Sequence, residues 1–279
     1  MKNRDIRGGI VRIGAQLALA VGGLIACGVA TAQKPGVHPG LTDRFTFQIG
    51  AYAPQADTTA FLNSSTLARG TSINFEDDLN LTDRKTVPAI LGSWRFAEKW
   101  RLEGEYFSLH RSGARPLART INWGDNTYTF GTTVSSEFDT DIFRLSVGYS
   151  FIKDNQKELG VVLGLHATDF SATLSASGTG IRTADGLAPL PTVGIYGAYA
   201  FTPQWLLSGR LDYFSMEYNQ YDGSLTNFSV GVDYRFTRNF GVGLAYRHVD
   251  YDVTSTKANF QGGMNYKFSG PMLYGVASF

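Results

Sequence analysis

The sequence predicts an all-β fold, a closed antiparallel transmembrane barrel of ten strands. Three observations support this prediction. From about residue 44, apolar and polar residues alternate in successive segments, as in strands with two different faces. Short and long connections alternate between these segments. An aromatic residue precedes each of the four short turns and another follows three of them, as expected of side chains at a membrane interface.

The strands are expected near 44–53, 86–97, 100–111, 135–151, 158–175, 190–202, 205–218, 224–236, 240–253 and 259–279. In the last segment the apolar residues change parity, from even at Met264 to odd at Leu273. We interpret Ser269-Gly270-Pro271 as a β-bulge that adds one residue. A tight turn there, or a further strand at residues 71–75, would give eight or twelve strands instead.

The connections differ in length at the two ends of the predicted barrel. Long loops are expected over about 54–85, 112–134, 176–189, 219–223 and 254–258, and the turns between them are short. This asymmetry is typical of barrels in the bacterial outer membrane. A soluble β-sandwich would share the composition, which has 32 Gly, 9 Pro and 13% aromatic residues, but not the aromatic ring at one end.

The N-terminus predicts a signal peptide over residues 1–32. A basic start that includes Lys2 and Arg4 precedes an apolar stretch from about residue 13 to 29, and cleavage is expected between Ala32 and Gln33. A membrane-anchor helix is one alternative. A lipidation signal that ends at Cys27 is another. Residues 33–43 are expected to be a flexible lead-in, and residues 44–279 to be the barrel.

The chain ends on an aromatic residue in an alternating strand. Leu273, Gly275, Ala277 and Phe279 share one face. In this ending the chain resembles single-chain bacterial outer-membrane β-barrels, with an architecture like the outer-membrane protein A and W type. The resemblance implies that the protein is integral to the outer membrane. It also implies that Phe279 is an assembly signal for the barrel-assembly machinery, and that outer-membrane lipid and lipopolysaccharide are its surroundings.

The charge and the motifs exclude several classes of function. The formal net charge is +1, and removal of the signal peptide with four basic residues and one acid leaves −2, which does not favour nucleic-acid binding. The sequence has no phosphate loop, nucleotide fingerprint or Cys/His cluster, so no cofactor and no metal are expected. Acidic residues at 76–78 and Asp83 lack the spacing of a calcium loop and are expected to be solvated.

The alternation predicts a cluster of charges inside the barrel, which we call the lumen charge cluster. Its members are Arg95, Arg101, Glu103, Glu105, Arg144, Glu158, Arg210, Asp212, Asp233, Arg235 and Arg247. Six positive and five negative residues are nearly balanced, so they are expected to pair and stiffen the wall. A narrow polar path through the same cluster is the alternative. A one-residue shift in register would expose these charges to lipid.

The leading functional hypothesis is a non-catalytic membrane barrel with a structural or small-solute passage role. A second hypothesis is a lipid A-modifying hydrolase that uses His110 and Ser112, with Glu137 or Glu217 as the third member, because lipid A deacylases carry a similar His-x-Ser pair. A third is a surface receptor or adhesin that acts through its loops. The segment 119–130 is expected to form a hairpin that turns at Gly124-Asp125 and either binds a partner or covers the barrel mouth.

Overall fold

A closed antiparallel barrel of ten strands is the main part of the structure, a computed structural model that describes residues 36–64, 69–218, 221–257 and 260–279. The predicted fold class is therefore confirmed. The predicted signal peptide, its cleavage site between Ala32 and Gln33, and Cys27 lie outside the described residues. No helix in the described ranges is long and apolar enough to cross a membrane.

The described chain forms short helices and strands whose bounds are as follows. The helices are α1 (Pro39–Thr42) and α2 (Phe75–Leu79). The strands are β1 (Phe45–Tyr52), β2 (Gln55–Leu62), β3 (Ile73–Asn74), β4 (Val87–Ala97), β5 (Trp100–Pro116), β6 (Ile121–Trp123), β7 (Asn126–Tyr128), β8 (Thr133–Lys153), β9 (Lys157–Ala176), β10 (Gly180–Ala200), β11 (Trp205–Tyr218), β12 (Tyr221–Arg235), β13 (Phe240–Lys257) and β14 (Phe260–Ser278). The ring runs in the order β1-β4-β5-β8-β9-β10-β11-β12-β13-β14, and β14 pairs with β1 to close it.

The barrel closes where the first strand meets the last. β1 pairs with the end of β14, and β2 pairs with its beginning in the same register, so β1 and β2 form one line along β14. Gly270 allows the chain to pass between them, because a Cβ there would lie 2.2 Å from the carbonyl oxygen of Ala53. Part of the expected first loop, 54–85, is therefore strand.

The expected loop over 176–189 is wrong, because most of it is strand. β9 ends at Ala176 and β10 begins at Gly180, so only a tight turn separates them. The outward positions at the start of β10 carry Ile181, Thr183 and Asp185 in turn. Such a mixture lacks the regular apolar face that predicts the other strands.

At one level along the barrel axis, the apolar side chains change from the outer face of the wall to the inner face. Toward the short turns, outward side chains are apolar and inward ones are charged, as at Tyr106 and Glu105. Two residues further along β5, the inward residue is Phe107 and the outward one is Ser108. The lower half, toward the short turns, therefore has an apolar outer wall and a charged interior, whereas the upper half has a largely polar outer wall and an apolar interior.

The β-bulge expected at 269–271 is wrong, and this change of the apolar face explains the sequence pattern there. The pairing of β13 with β14 is uninterrupted from Phe240↔Ala277 to Lys257↔Phe260. From Gly262 onward, even-numbered residues of β14 face inward, including Phe268 above and Tyr274 below. The apolar residues change parity because the surroundings change, not because the strand gains a residue.

An aromatic core fills the upper half of the barrel. Its largest buried rings are those of Tyr52, Phe75, Phe107, Trp123, Tyr128, Phe138, Tyr251, Tyr266 and Phe268. The expected hairpin at 119–130 is confirmed as β6 and β7, and Gly124 at its turn has a φ of +59°. Because Trp123 and Tyr128 are buried, the hairpin lies in the barrel mouth rather than projecting from it.

The lead-in, expected to be flexible, is packed against the barrel in its described part. α1 begins after His38, whose Nδ1 accepts a hydrogen bond from the backbone N–H of Gly40 at 3.1 Å. The fully buried Leu41 packs with Ala200 and Leu206, which flank a short turn. The segment therefore lies at the turn end of the barrel.

Candidate functional site

Two glutamates on β5 organise the lumen charge cluster. Strand alternation turns Glu103 and Glu105 inward from β5, which lies four strands away from β11 on one side of the ring and from β13 on the other. Contacts made by these carboxylates therefore cross the lumen. The structure brings most of the predicted cluster together through them.

Glu105 joins two strands that lie on different sides of it. It accepts a hydrogen bond from Arg144 Nε on the neighbouring β8 at 2.8 Å. It also pairs with Arg247 Nη1 from β13, across the lumen. Because all three side chains are buried, this carboxylate compensates two guanidinium groups that have little access to water.

Arg210 on β11 makes the second contact across the lumen. Its Nε donates to both carboxylate oxygens of Asp212, at 2.8 and 2.9 Å, and its Nη1 pairs with Glu103. Asn227 links the two crossings, because its amide donates to Asp212 at 2.7 Å while its oxygen accepts from Arg247 Nε at 2.9 Å. The network is continuous from β5 through β11, β12 and β13 back to β5.

A second group of charges lies nearer the turns. Arg95 on β4 makes a two-pronged contact with Glu158 on β9, with both distances 2.8 Å. Arg101 connects this group to the first, since its Nε lies 3.0 Å from Glu103 and its guanidinium carbon 3.4 Å from the ring centre of Tyr196. Such paired, planar contacts hold the guanidinium groups in fixed orientations.

Asp233 and Arg235 stand apart from the other nine members of the cluster. Asp233 accepts a hydrogen bond from the hydroxyl of Tyr274 at 2.5 Å. Arg235 donates to the backbone oxygen of Asn239 at 3.3 Å. The structure therefore does not place this pair in the cross-lumen network.

The charges border a cavity of about 220 Å³ in the lower half of the barrel. Arg95, Arg144, Arg210, Arg235 and Arg247 line it together with Tyr274. Above it, the aromatic core spans the barrel: the ring centres of Phe138 on β8 and Tyr266 on β14 are 5.4 Å apart. Among the described residues, these rings therefore lie in the lumen above the cavity.

Sequence reasoning missed Arg111, a buried charge in the upper half. Arg111 pairs with Glu76 from α2, and its guanidinium carbon lies 5.2 Å from the ring centre of Phe138 and 5.6 Å from that of Tyr266. Its inward parity, shared with Phe107, was the signal that could have found it. Glu76, expected to be solvated, is thus a structural partner.

On the outer wall, His110 does not use the serine that the sequence suggested. Its Nε2 lies 2.8 Å from Ser108 Oγ, and its Nδ1 lies 3.1 Å from Asp139 Oδ1. Both ring nitrogens are thus occupied by groups other than Ser112, so the expected His110 and Ser112 pair is corrected. The carboxylate beside the ring is Asp139 rather than Glu137 or Glu217.

Phe279 lies beside the closing seam of the barrel. Its backbone oxygen accepts hydrogen bonds from the N–H groups of Arg44, at 2.7 Å, and Phe45, at 2.8 Å. Its ring is 40% exposed and lies 6.1 Å from that of Phe240. Its role in assembly stays a prediction. Within the described ranges, no group of three or more His, Cys, Asp or Glu side chains is placed to hold a metal ion.

Comparison with solved structures identifies the architecture. The outer-membrane protease OmpT from Escherichia coli matches with a TM-score of 0.56 and 13% identity, over 90% of this chain and 100% of that one. The chain has the fold of an outer-membrane β-barrel. OprG from Pseudomonas aeruginosa matches with a TM-score of 0.38 and 12% identity, over 87% of this chain and 98% of that one. The toluene transporter TodX from P. putida matches with a TM-score of 0.36 and 10% identity, over 87% and 92%.

No protein-family model and no curated protein sequence matches the chain. The likeness to OmpT at 13% identity therefore establishes the fold alone. Any function has to be argued from the residues of this chain.

Proposed function

We propose that this chain is a closed, non-conducting barrel with a structural role in the outer membrane. The observation that carries the proposal is that side chains cross the lumen at two levels. Paired charges cross it in the lower half, and aromatic rings cross it in the upper half. Of the two roles that the sequence suggested, a structural role and passage of a small solute, this interior favours the first.

The lower level supports rigidity rather than ion flow. Arg247 and Arg210 each hold a carboxylate of β5 across the lumen, and Asn227 connects them. An ion that moved through this level would have to separate buried pairs, which leaves charges without partners at high cost. The network therefore acts as a brace between opposite walls.

The upper level excludes water. Tyr52, Phe107 and Phe268 come from three strands, with ring centres 5.5 to 6.4 Å apart. Each of these rings is at most 1% exposed. A small barrel with an interior filled by side chains is a packed core rather than a channel.

Conductance in a planar bilayer tests the proposal. The full chain, inserted as a folded barrel, is expected to give no stable single-channel steps. A triple variant, Phe107→Ala, Phe138→Ala and Tyr266→Ala, removes rings that cross the upper lumen and is expected to give steps, since water can then enter that level.

Phe130→Ala is the matched control, because the Phe130 ring is 71% exposed at the end of the hairpin and should leave the barrel silent. Stable steps from the unaltered protein would contradict a closed barrel and favour passage of a small solute.

A further inference from the structure

The outer wall carries a hydrogen-bonded Ser–His–Asp arrangement that is separate from the lumen. His110 and Asp139 are direct partners in the pairing of β5 with β8, and Ser108 lies two residues before His110 on the same face. The hydroxyl lies 2.8 Å from Nε2 and the carboxylate 3.1 Å from Nδ1. Each ring nitrogen therefore has the partner that nucleophilic catalysis by serine requires.

The order of these groups sets a direction for proton transfer. A carboxylate cannot donate, so the contact with Asp139 favours the imidazole tautomer that carries its proton on Nδ1. Nε2 is then the free acceptor, and it faces the hydroxyl of Ser108. Asp139 positions the ring, His110 acts as the base, and Ser108 is the group that could attack a substrate.

The position of Ser108 on the wall indicates the substrate class. Tyr106 is the last outward aromatic residue of β5 before Ser108, and Phe143 is the corresponding residue of β8 before Asp141. Ser108 therefore lies where the apolar band of the wall gives way to polar residues, at the level of the boundary between the lipid tails and their headgroups. Lipid acyl esters lie at this boundary.

The site is accessible from outside the barrel, and a neighbouring lysine contacts its backbone. The His110 side chain is 58% exposed and that of Asp139 is 42% exposed. The ammonium group of Lys85 donates to the backbone oxygen of His110 at 2.5 Å, which places a positive charge beside the site. A lipid with anionic headgroups would meet this charge as it approached Ser108.

We propose that Ser108, His110 and Asp139 form a hydrolytic site for carboxylic esters of lipids in the outer leaflet. Ser108 Oγ attacks the ester carbonyl carbon while its proton passes to His110 Nε2. The bond from the carbonyl carbon to the alcohol oxygen breaks, and the alcohol leaves with that proton. Water then attacks the acyl-serine, His110 takes a proton from the water and returns one to Ser108, and a fatty acid is released. No further reactant is needed.

Fatty-acid release by the full chain in outer-membrane-like vesicles tests the proposal. One set of vesicles contains phosphatidylethanolamine alone, and a second also contains lipopolysaccharide, so the two sources of acyl ester are distinguished. Ser108→Ala is expected to lower release at least about 10³-fold, because it removes the nucleophile. A serine-directed fluorophosphonate should label the unaltered protein and not this variant.

Ser112→Ala is the matched control, since Ser112 shares the strand face but not the contact with His110. It should retain both release and labelling. Asp139→Asn is expected to lower kcat with little change in KM, and Asp139→Glu to restore part of it, because Asp139 positions the ring. A shift in electrophoretic mobility on heating checks that each variant is folded.

Equal release by the unaltered protein and Ser108→Ala would overturn the proposal. Loss of release in Ser112→Ala alone would also overturn it, and so would cleavage of a peptide substrate without cleavage of either lipid. None of these results bears on whether the lumen conducts, so this proposal and that of a closed barrel can fail separately.

Discussion

At the scale of single residues, Glu105 is one of the two carboxylates of β5 that hold the lumen network together. It is a buried carboxylate that contacts Arg144 beside it and Arg247 across the lumen. Removal of one member of a buried ion pair leaves the other member without compensation. Here a single truncation would remove the carboxylate that pairs with Arg247, and Arg144 would keep only the Glu103 carboxylate at 3.6 Å.

We expect Glu105→Ala to lower the free energy of unfolding by about 3–5 kcal/mol, the range for breaking a buried pair. Urea unfolding of the lipid-embedded barrel, followed by tryptophan fluorescence, measures it. Glu98→Ala is the control, since Glu98 is exposed in the first short turn and should change stability by less than about 0.5 kcal/mol. Equal effects of the two substitutions would show that the cross-lumen contacts do not stabilise the barrel.

The inward direction of these charges was predictable, but their partners were not. Alternation alone assigns Glu105 and Arg144 to the interior, because the opposite register would expose them to lipid. The contact between Glu105 and Arg247, however, joins residues 142 positions apart. It depends on the ring order and the curvature of the wall, which no local pattern contains. Side-chain rotamers likewise decide that His110 contacts Ser108 rather than Ser112, and the sequence does not contain them.

At the scale of elements, α1 shows how a short segment outside the strands depends on its cap. His38 is fully buried, and burial, with a smaller contribution from the charge of Arg235, lowers its pKa from 6.5 to about 4. The ring is therefore neutral in the folded protein at neutral pH. Its Nδ1 is the acceptor that caps α1.

This lowered pKa predicts a pH dependence of stability. Between about pH 6.5 and 4 the unfolded chain binds a proton at His38 and the folded chain does not, so stability falls as the pH falls through this window. His38→Asn keeps a side-chain acceptor for the cap and removes the titration. The difference in urea midpoint between the two proteins should therefore change between pH 7.5 and pH 4.5. Parallel pH profiles would contradict a neutral buried ring.

At the same scale, the sequence predicted the membrane halves of the strands better than their outer halves. Within the membrane, lipid outside and charges inside make each face distinct, as at Leu145 and Arg144. Beyond the membrane, outward residues meet water, and the apolar face is the inward one. A pattern search that assumes one apolar parity for a whole strand therefore inserts a bulge in β14 and begins β10 about ten residues too late.

At the scale of the whole molecule, the level at which the two faces exchange character defines how deep the barrel sits in the bilayer. β9 shows this along one face: Leu163 faces outward and is 67% exposed, and Ser171 faces outward on the same strand, eight residues closer to the outer end. If lipid covers the first position and water the second, the same substitution should have different effects at the two sites.

We expect Leu163→Lys to lower the free energy of unfolding by about 2–4 kcal/mol, the cost of a lysine near the bilayer midplane. Ser171→Lys should change it by less than about 0.5 kcal/mol, since a charge on a solvated face is tolerated. Urea unfolding in lipid vesicles compares the two variants under one condition. Similar losses at both sites would place Ser171 within the bilayer, and the lipid boundary would then lie above Ser108 rather than at it. The depth of the barrel thus decides both how much of its wall is solvated and whether Ser108 can meet a lipid ester.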